Sequence, residues 1–453
     1  MKARMAVVGT GVLRGAVSLG LVMTSLLMVA GASVSLAQTC SLDVRAGTSN
    51  SQFDSIFTQD GPGRGFEPTG RPGWTGADST YSILLPNGDT AFFFSDSYVG
   101  ESPTLAGDGT VTTDANGLRT RVANCGAPLC DPPTNLYHAH NSVIVRNAVT
   151  GTLTTLTGPA DLTNGYATSY FAPPGATATG HFFWMGDSTV VQTDAAGTKK
   201  LWVFLLEFDN SWTYYGSSIA QLSLPSMQIE LIQPIGNLPT SSYINWGSAL
   251  WLEGSFGNYT LNIYGMKMTG TQKRPYLAKT TTAGSLLDVA NSANWTYWNG
   301  SSWSGNLLDA APVIGNTGDP NNASDSISDE FSVKKLQTST GSSYVLVGMD
   351  TTAPFGAWKD ITLYTACQPQ GPFSAKTVVY SAPEAGANQV PGMAAGQTLA
   401  GTTMVYNPHL HPQFTTKGKL LISYNVNAAK SQDLLFADTY RPRFISVPVK
   451  GLR

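Results

Sequence analysis

Five times along this chain of 453 residues a small or polar residue is followed by an apolar strand, a glycine-containing turn and a second apolar strand. The phrases run from Asp78 to Tyr98, Asp187 to Phe208, Asn245 to Gly265, Asp329 to Asp350 and His411 to Asn427. Each reads as a β-hairpin, and repetition of one supersecondary unit is the signature of a repeat architecture. The expected fold is therefore all-β, a five-bladed β-propeller, with the residue that opens each phrase near the central axis. A four-stranded blade needs roughly 40–50 residues. The phrases are spaced further apart than that, so the surplus is assigned to loops: Val99–Tyr137, Gly305–Ile327 and Ala382–Thr402. A β-sandwich is the alternative, but it gives no reason for polar residues at five similar strand starts.

Composition agrees. Glycine (47) and proline (26) are plentiful while charged residues make up 12%, the balance expected of short strands and tight turns rather than long solvated helices. The net charge of −3 supplies no basic footprint for nucleic acid or an anionic membrane. No nucleophile elbow or phosphate-binding loop is present in the sequence.

Residues 1–37 read as an export signal. Lys2, Arg4 and Arg14 precede an uncharged run with an apolar centre at Leu19–Ala30, and Ser35-Leu36-Ala37 fits a cleavage site before Gln38. Residues 38–453 are then one domain, secreted or periplasmic, monomeric and free of the membrane after cleavage. Four cysteines in an exported chain point to disulfides. The short loop between Cys125 and Cys130 favours that pair, which leaves Cys40 with Cys367. The C-terminal strand, Phe444–Val447, has no hairpin partner after it, so the segment around Cys40–Val44 is expected to pair with it and close the ring.

The chemistry candidates lie at the phrase openings. Asp78, Asp187, Asp329 and Glu330 each precede an apolar strand. Hydrolysis of a glycosidic bond uses two carboxyl groups, one protonated and one ionised. Asp78 is the expected base or nucleophile and Glu330 the expected acid, with Asp187 orienting substrate and raising the acid's pKa. Placement on non-adjacent blades favours inversion, which leaves room for a water. Asp329, Asp96, Asn141 and Asn245 are candidate contacts to sugar hydroxyls. Two HxH pairs, His138/His140 and His409/His411, place alternate rings on one face of an extended segment. His140, His409 and His411 are assigned to substrate hydroxyls rather than to a metal. No cofactor is expected, with room for a structural Ca2+ ion in the central channel. Trp74, Trp184, Trp246 and Trp358 lie near the phrase openings and suit the stacking of sugar faces; Trp74 and Trp246 are assigned to substrate. Trp295, Trp298 and Trp303 read as an outer hairpin.

Several motifs in their order, Trp74-Thr-Gly-Ala-Asp-Ser-Thr-Tyr-Ser, His140-Asn-Ser-Val-Ile-Val, Ile244-Asn-Trp-Gly-Ser-Ala, Ser328-Asp-Glu-Phe-Ser-Val, Tyr406-Asn-Pro-His-Leu-His-Pro and Tyr440-Arg-Pro-Arg-Phe, resemble an exported bacterial family catalogued as a domain of unknown function. That family is related to the five-bladed propeller glycosidases, which include endo-D-arabinanases acting on mycobacterial arabinan. The resemblance implies a five-bladed propeller and hydrolysis of a polysaccharide or cell-wall glycan, with an arabinan-like substrate as one candidate. A non-catalytic carbohydrate-binding propeller is the alternative; it would keep the aromatic residues and histidines without needing an acid pair.

Overall fold

Short apolar runs bounded by turn residues recur along the chain, and the computed structural model resolves them into strands. The structure describes residues 40–57, 73–100, 111–113, 119–121, 138–159, 167–238, 244–315, 325–339, 341–390, 393, 396–416 and 418–453. Residues 1–37, assigned to the export signal, and the Cys125 and Cys130 pair lie outside them. Among the described residues the α-helices are single turns, Ser51–Asp54, Ala176–Thr179 and Leu286–Ala290, and none is long and apolar enough to cross a membrane.

In chain order the first strands are β1 (Asp43–Val44), β2 (Thr48–Ser49), β3 (Gly73–Ala77), β4 (Tyr81–Leu84), β5 (Thr90–Phe94) and β6 (Ser97–Gly100). They are followed by β7 (Val111–Thr113), β8 (Arg119–Arg121), β9 (His138–Ala139), β10 (Ser142–Arg146) and β11 (Leu153–Leu156). The middle of the chain supplies β12 (His181–Gln192), β13 (Lys199–Asp209), β14 (Tyr214–Ser223), β15 (Ile229–Pro234), β16 (Asn245–Ser255), β17 (Asn258–Thr269), β18 (Gln272–Thr282), β19 (Thr296–Trp298) and β20 (Trp303–Ser304). The last are β21 (Ser332–Thr338), β22 (Gly341–Met349), β23 (Asp360–Ala366), β24 (Thr377–Ser381), β25 (Thr403–Leu410), β26 (Lys419–Ala428) and β27 (Arg441–Lys450).

These strands form five larger antiparallel sheets, ordered β4-β5-β10-β11, β12-β13-β14-β15, β16-β17-β18-β19-β20, β21-β22-β23-β24 and β25-β26-β27-β1. Of two smaller sheets, β3-β6-β9 contacts β11 and β27, and β8 of the β7-β8 pair lies against the turns that precede β27. Apolar clusters join consecutive sheets. Phe93 and Val143 meet Met185 and Val203; Phe204 meets Trp246 and Leu261. Tyr264 and Leu277 meet Phe331 and Leu346, and Val347 meets Val405 and Ile422. Phe92, Phe94 and Ile144 of the first sheet meet Leu421 and Phe444 of the fifth. The first strand of each sheet lies beside the first strand of the next. From the fifth sheet back to the first, His411 Nδ1 lies 2.6 Å from Ser82 Oγ and the His409 ring lies 3.9 Å from that of Tyr81.

The expected end-to-end pairing is present. Asp43 and Val44 pair with Lys450 and Val449, Thr48 and Ser49 pair with Ser446 and Ile445, and Cys40 is disulfide-bonded to Cys367. Trp298 and Trp303 face one another on the outer β19–β20 pair, as the sequence pattern indicates. The fifth phrase is offset. His411 follows β25 instead of opening a strand, because Pro412 ends the ladder and starts a 3-10 turn at Pro412–Phe414. Its hairpin partner is the upstream strand Thr403–Leu410.

Candidate active site

One pocket of about 560 Å³ gathers residues from all five larger sheets and their loops. Asp78 and Asp96 come from the first, Trp184, Phe208 and Trp212 from the second, and Asn245, Ser248 and Lys273 from the third. The fourth supplies Asp329, Glu330, Phe355 and Trp358, and the fifth Met404, Tyr406, Asn427 and Tyr440. Irregular backbone aims these groups. β12, β16 and β25 carry bulges at Met185/Ser188, Trp246/Ala249 and Tyr406/His409, the kind of defect that re-aims side chains beside functional sites. In β16 the bulge turns on Gly247, at φ +110, where a Cβ would stand 2.5 Å from the Phe204 ring; only glycine fits there.

The first sheet uses a more costly device. Ser79 and Thr80 are consecutive non-glycine residues in the left-handed region, at φ 72 and 61. Each such residue costs on the order of 1–3 kcal/mol and persists only where neighbours hold it. Here Ser95 N–H donates to the Asp78 carbonyl at 3.2 Å, and Asn425 Nδ2 donates to Thr80 Oγ1 at 2.9 Å. The turn brings Ser79 Oγ to 2.7 Å from both Glu330 Oε1 and Ser95 Oγ.

Two carboxyl groups therefore meet in unequal surroundings. Asp78 Oδ2 accepts from Tyr406 Oη at 2.9 Å, and Tyr406 Oη in turn accepts from Asn427 Nδ2 at 2.9 Å. Asp78 Oδ1 has no hydrogen-bond partner among the described residues. Burial, and then the charge of Asp96, push the Asp78 carboxyl up to about 7. Glu330 is 7% exposed, with Oε2 lying 3.3 Å from His409 Nε2. Burial first and the Asp78 charge second raise its pKa well above the ordinary carboxyl value, which favours the protonated form. Burial likewise lowers His409 and takes His411 down to about 3, so both rings are neutral.

Asp96 lies on the pocket wall, where Oδ1 accepts from Trp184 Nε1 and lies 3.0 Å from His140 Nδ1. Asp329 pairs with Lys273, whose ammonium also lies 5.3 Å from the centre of the Trp358 ring. Two aromatic walls flank these polar groups. Trp184 packs against Phe208 and Trp212 on one, at 4.9 and 5.1 Å, and Phe355 meets Trp358 at 4.9 Å on the other.

Several sequence-assigned residues do not line the pocket. Asp187 is buried, bound by Lys334 Nζ at 2.6 Å and Leu250 N–H at 2.8 Å, because a buried carboxylate needs a charged partner and donors. Trp74 and Trp246 are fully buried, the first against Phe57 and Phe94 and the second against Trp295 and Tyr297. Large aromatic area favours the space between sheets over solvent. Asn141 clamps three backbone groups, donating to the carbonyls of Phe171 and Phe183 and accepting from Phe171 N–H. His140 lies behind Asp96, stacked on Phe182 at 3.8 Å. His409 and His411 lie beneath the pocket floor, reaching Glu330 and Ser82. Asn245, Asp96 and Asp329 do line it. Among the pocket residues not singled out are Ser95, Lys273, Tyr406, Tyr440, Trp212 and Phe355, with Ser79 at the turn beside them. Tyr406 and Tyr440 open motifs visible in the sequence. Trp212 and Phe355 sit on loop tips that carry no periodic signal.

Comparison with known proteins adds the following. No curated protein matches the sequence. A crystal structure from Bacteroides ovatus ATCC 8483, of a protein provisionally named a hydrolase, shares the fold with a TM-score of 0.60 at 19% identity over 90% of this chain and 93% of that one. Lower structural similarity extends to an α-L-arabinofuranosidase from Podospora anserina in complex with cellotriose, with a TM-score of 0.38 at 11% identity over 86% and 94% of the two chains. A GH43_1 enzyme from Xanthomonas citri complexed with xylose gives 0.41 at 10% over 84% and 90%. The sequence itself matches a family model over residues 132–449, a span that takes in the last four of the five sheets, and the chain thus belongs to the family described as domain of unknown function DUF5005.

Proposed function

We propose that this protein is an exported glycoside hydrolase with Asp78 and Glu330 as its base and acid. The observation that carries this reading is the junction at Ser79, where two carboxyl groups of unequal environment are brought into one aromatic-walled pocket. The five sheets are read as blades of a five-bladed propeller, supported by apolar contacts that run from each sheet to the next and from the fifth to the first. The pocket then sits at one end of the central channel.

In this mechanism Glu330, kept protonated by burial, gives its proton to the glycosidic oxygen as the bond from that oxygen to the anomeric carbon breaks. Asp78 Oδ1, which has no hydrogen-bond partner among the described residues, takes a proton from a water whose oxygen bonds to the same carbon. The sum is the addition of one water across the bond. Positions on the first and fourth sheets favour inversion. Asp187 is read as a channel residue that anchors Lys334 rather than as a member of the reacting set. Aromatic walls with amide and carboxyl groups between them suit a carbohydrate, whose rings stack and whose edges form hydrogen bonds. An arabinan-like glycan remains the first candidate, and residues 1–37 are read as the signal that delivers the protein outside the cytoplasm.

The test is a panel of arabinans, xylans and galactans scored for new reducing ends. The wild type is expected to cleave at least one, and Asp78→Asn and Glu330→Gln to lose that cleavage. Binding without cleavage by the wild type would support the carbohydrate-binding alternative, and full cleavage by both variants would overturn the assignment.

A further inference from the structure

The His138/His140 pair plays no part in the acid–base chemistry, yet it is built with care. β9 pairs with β6 through Ser97↔Ala139 and Tyr98↔His138. Alternation along that strand sends His138 and His140 to one face, and Asp96 precedes β6 on the adjoining strand. We propose that Asp96, His138 and His140 form a binding site for one divalent transition-metal ion of the zinc class at the edge of the pocket.

The geometry is that of a preformed three-ligand site. One ligand atom from each residue lies within 4.8 Å of the other two. Asp96 Oδ1 is 3.0 Å from His140 Nδ1 and 4.0 Å from His138 Nε2. Ligands held at about 2.0–2.1 Å from a tetrahedral zinc end up roughly 3.4 Å apart, and the two observed separations bracket that value. The imidazole rings are 5.1 Å apart and nearly perpendicular, at 88°, so they do not stack on each other. Their orientation is set from outside. His140 lies flat on Phe182, 3.8 Å away, and Trp184 Nε1 donates to Asp96 Oδ1 at 3.0 Å, the type of outer hydrogen bond that fixes a ligating carboxylate. Two imidazoles and one carboxylate suit zinc, copper or nickel, whereas calcium and magnesium prefer oxygen ligands. The His138 side chain is 39% exposed, which gives an ion a way in. Three protein ligands leave a fourth position open beside a wall of the pocket, where an oxygen of a bound molecule can complete the shell. A hydrogen-bonded Asp–His pair accounts for His140 alone; it does not account for the convergence of His138.

The experiment uses the mature protein stripped with chelator and titrated with Zn2+ by calorimetry and with Co2+ by visible absorption. One equivalent should bind, with a cobalt band of tetrahedral character and a higher melting temperature in Zn2+. His138→Ala and His140→Ala should each abolish the stoichiometric heat. Trp184→Phe should weaken binding about tenfold. His181→Ala, at a histidine paired with Glu207 on another strand, should leave it unchanged. If an alanine variant fails to fold, His138→Gln, which keeps most of the volume, takes its place. Absence of stoichiometric binding by the wild type, or equal binding by the His138 and His140 variants, would overturn the site. None of these readouts depends on glycan hydrolysis.

Discussion

Ser79 Oγ lies 2.7 Å from Glu330 Oε1, although the two residues are 251 positions apart. That contact ties the turn after Asp78 to the buried carboxyl group just before β21. Ser79→Ala keeps the left-handed strain and removes the hydroxyl that contacts Ser95 Oγ and Glu330 Oε1. It should cost about 1–3 kcal/mol of stability and lower kcat more than KM. Ser79→Gly relieves the strain, so it should unfold later than Ser79→Ala while losing the same activity. Thermal melts and steady-state kinetics on the pair check both statements.

Glu330 itself is a stability cost. Its pKa is raised in the folded protein, mainly by burial and then by Asp78. A carboxyl with a raised folded pKa destabilises once the unfolded chain ionises, above about 4.3, and the cost grows with pH up to the folded value. Glu330→Gln removes this term. Its melting temperature should exceed that of the wild type at about pH 7, with the difference shrinking toward about pH 4. A difference independent of pH would contradict the assigned protonation state.

The fifth sheet is held by its ends. Cys40 is bonded to Cys367 across 327 residues, and β27 pairs with β26 on one side and β1 and β2 on the other. Cys40→Ser with Cys367→Ser should lose about 2–5 kcal/mol. Deletion of residues 440–453 removes β27 and should unfold the whole domain rather than fray its edge. Circular dichroism melting of the two variants decides the matter.

Beside β27, Asp438 is held by Arg119, Arg441 and Arg443. Burial raises its pKa, but the three guanidinium groups outweigh that and leave it below the usual value. Its contribution is present above the unfolded carboxylate pKa, about 3.9, and is lost as pH falls through the lower folded value. Asp438→Asn removes the carboxylate charge that faces Arg119, Arg441 and Arg443 and should cost about 3–5 kcal/mol near neutral pH. The variant's penalty should shrink on acidification, read by denaturant melts across that range.

Much of this was legible in the sequence because hairpins are local. The phrases opened by Asp78, Asp187, Asn245 and Asp329 became neighbouring strands, and the partner of the C-terminal strand followed from the need to cover a sheet edge. Where an opening residue points was not legible. Asp187 and Asp78 open similar sequence phrases, yet Asp187 lies inside β12, where the bulge at Met185/Ser188 turns it to Lys334, while the Ser79–Thr80 turn before β4 leaves Asp78 in the pocket. The tryptophans divide in the same way. Trp74 and Trp246 fill the space between sheets, while Trp184 and Trp358 reach the pocket, a distinction set by bulges and long-range packing.

The assignment of Glu330 as the acid makes the sharpest demand. A general acid matters for a poor leaving group and little for a good one, so Glu330→Gln should be compared on a natural glycan and on an aryl glycoside of the same sugar with a nitrophenolate leaving group. The account predicts a loss of about 10²–10⁴-fold in kcat on the glycan with most of the rate retained on the activated substrate. Equal losses on the two substrates, or no loss on either, would contradict it.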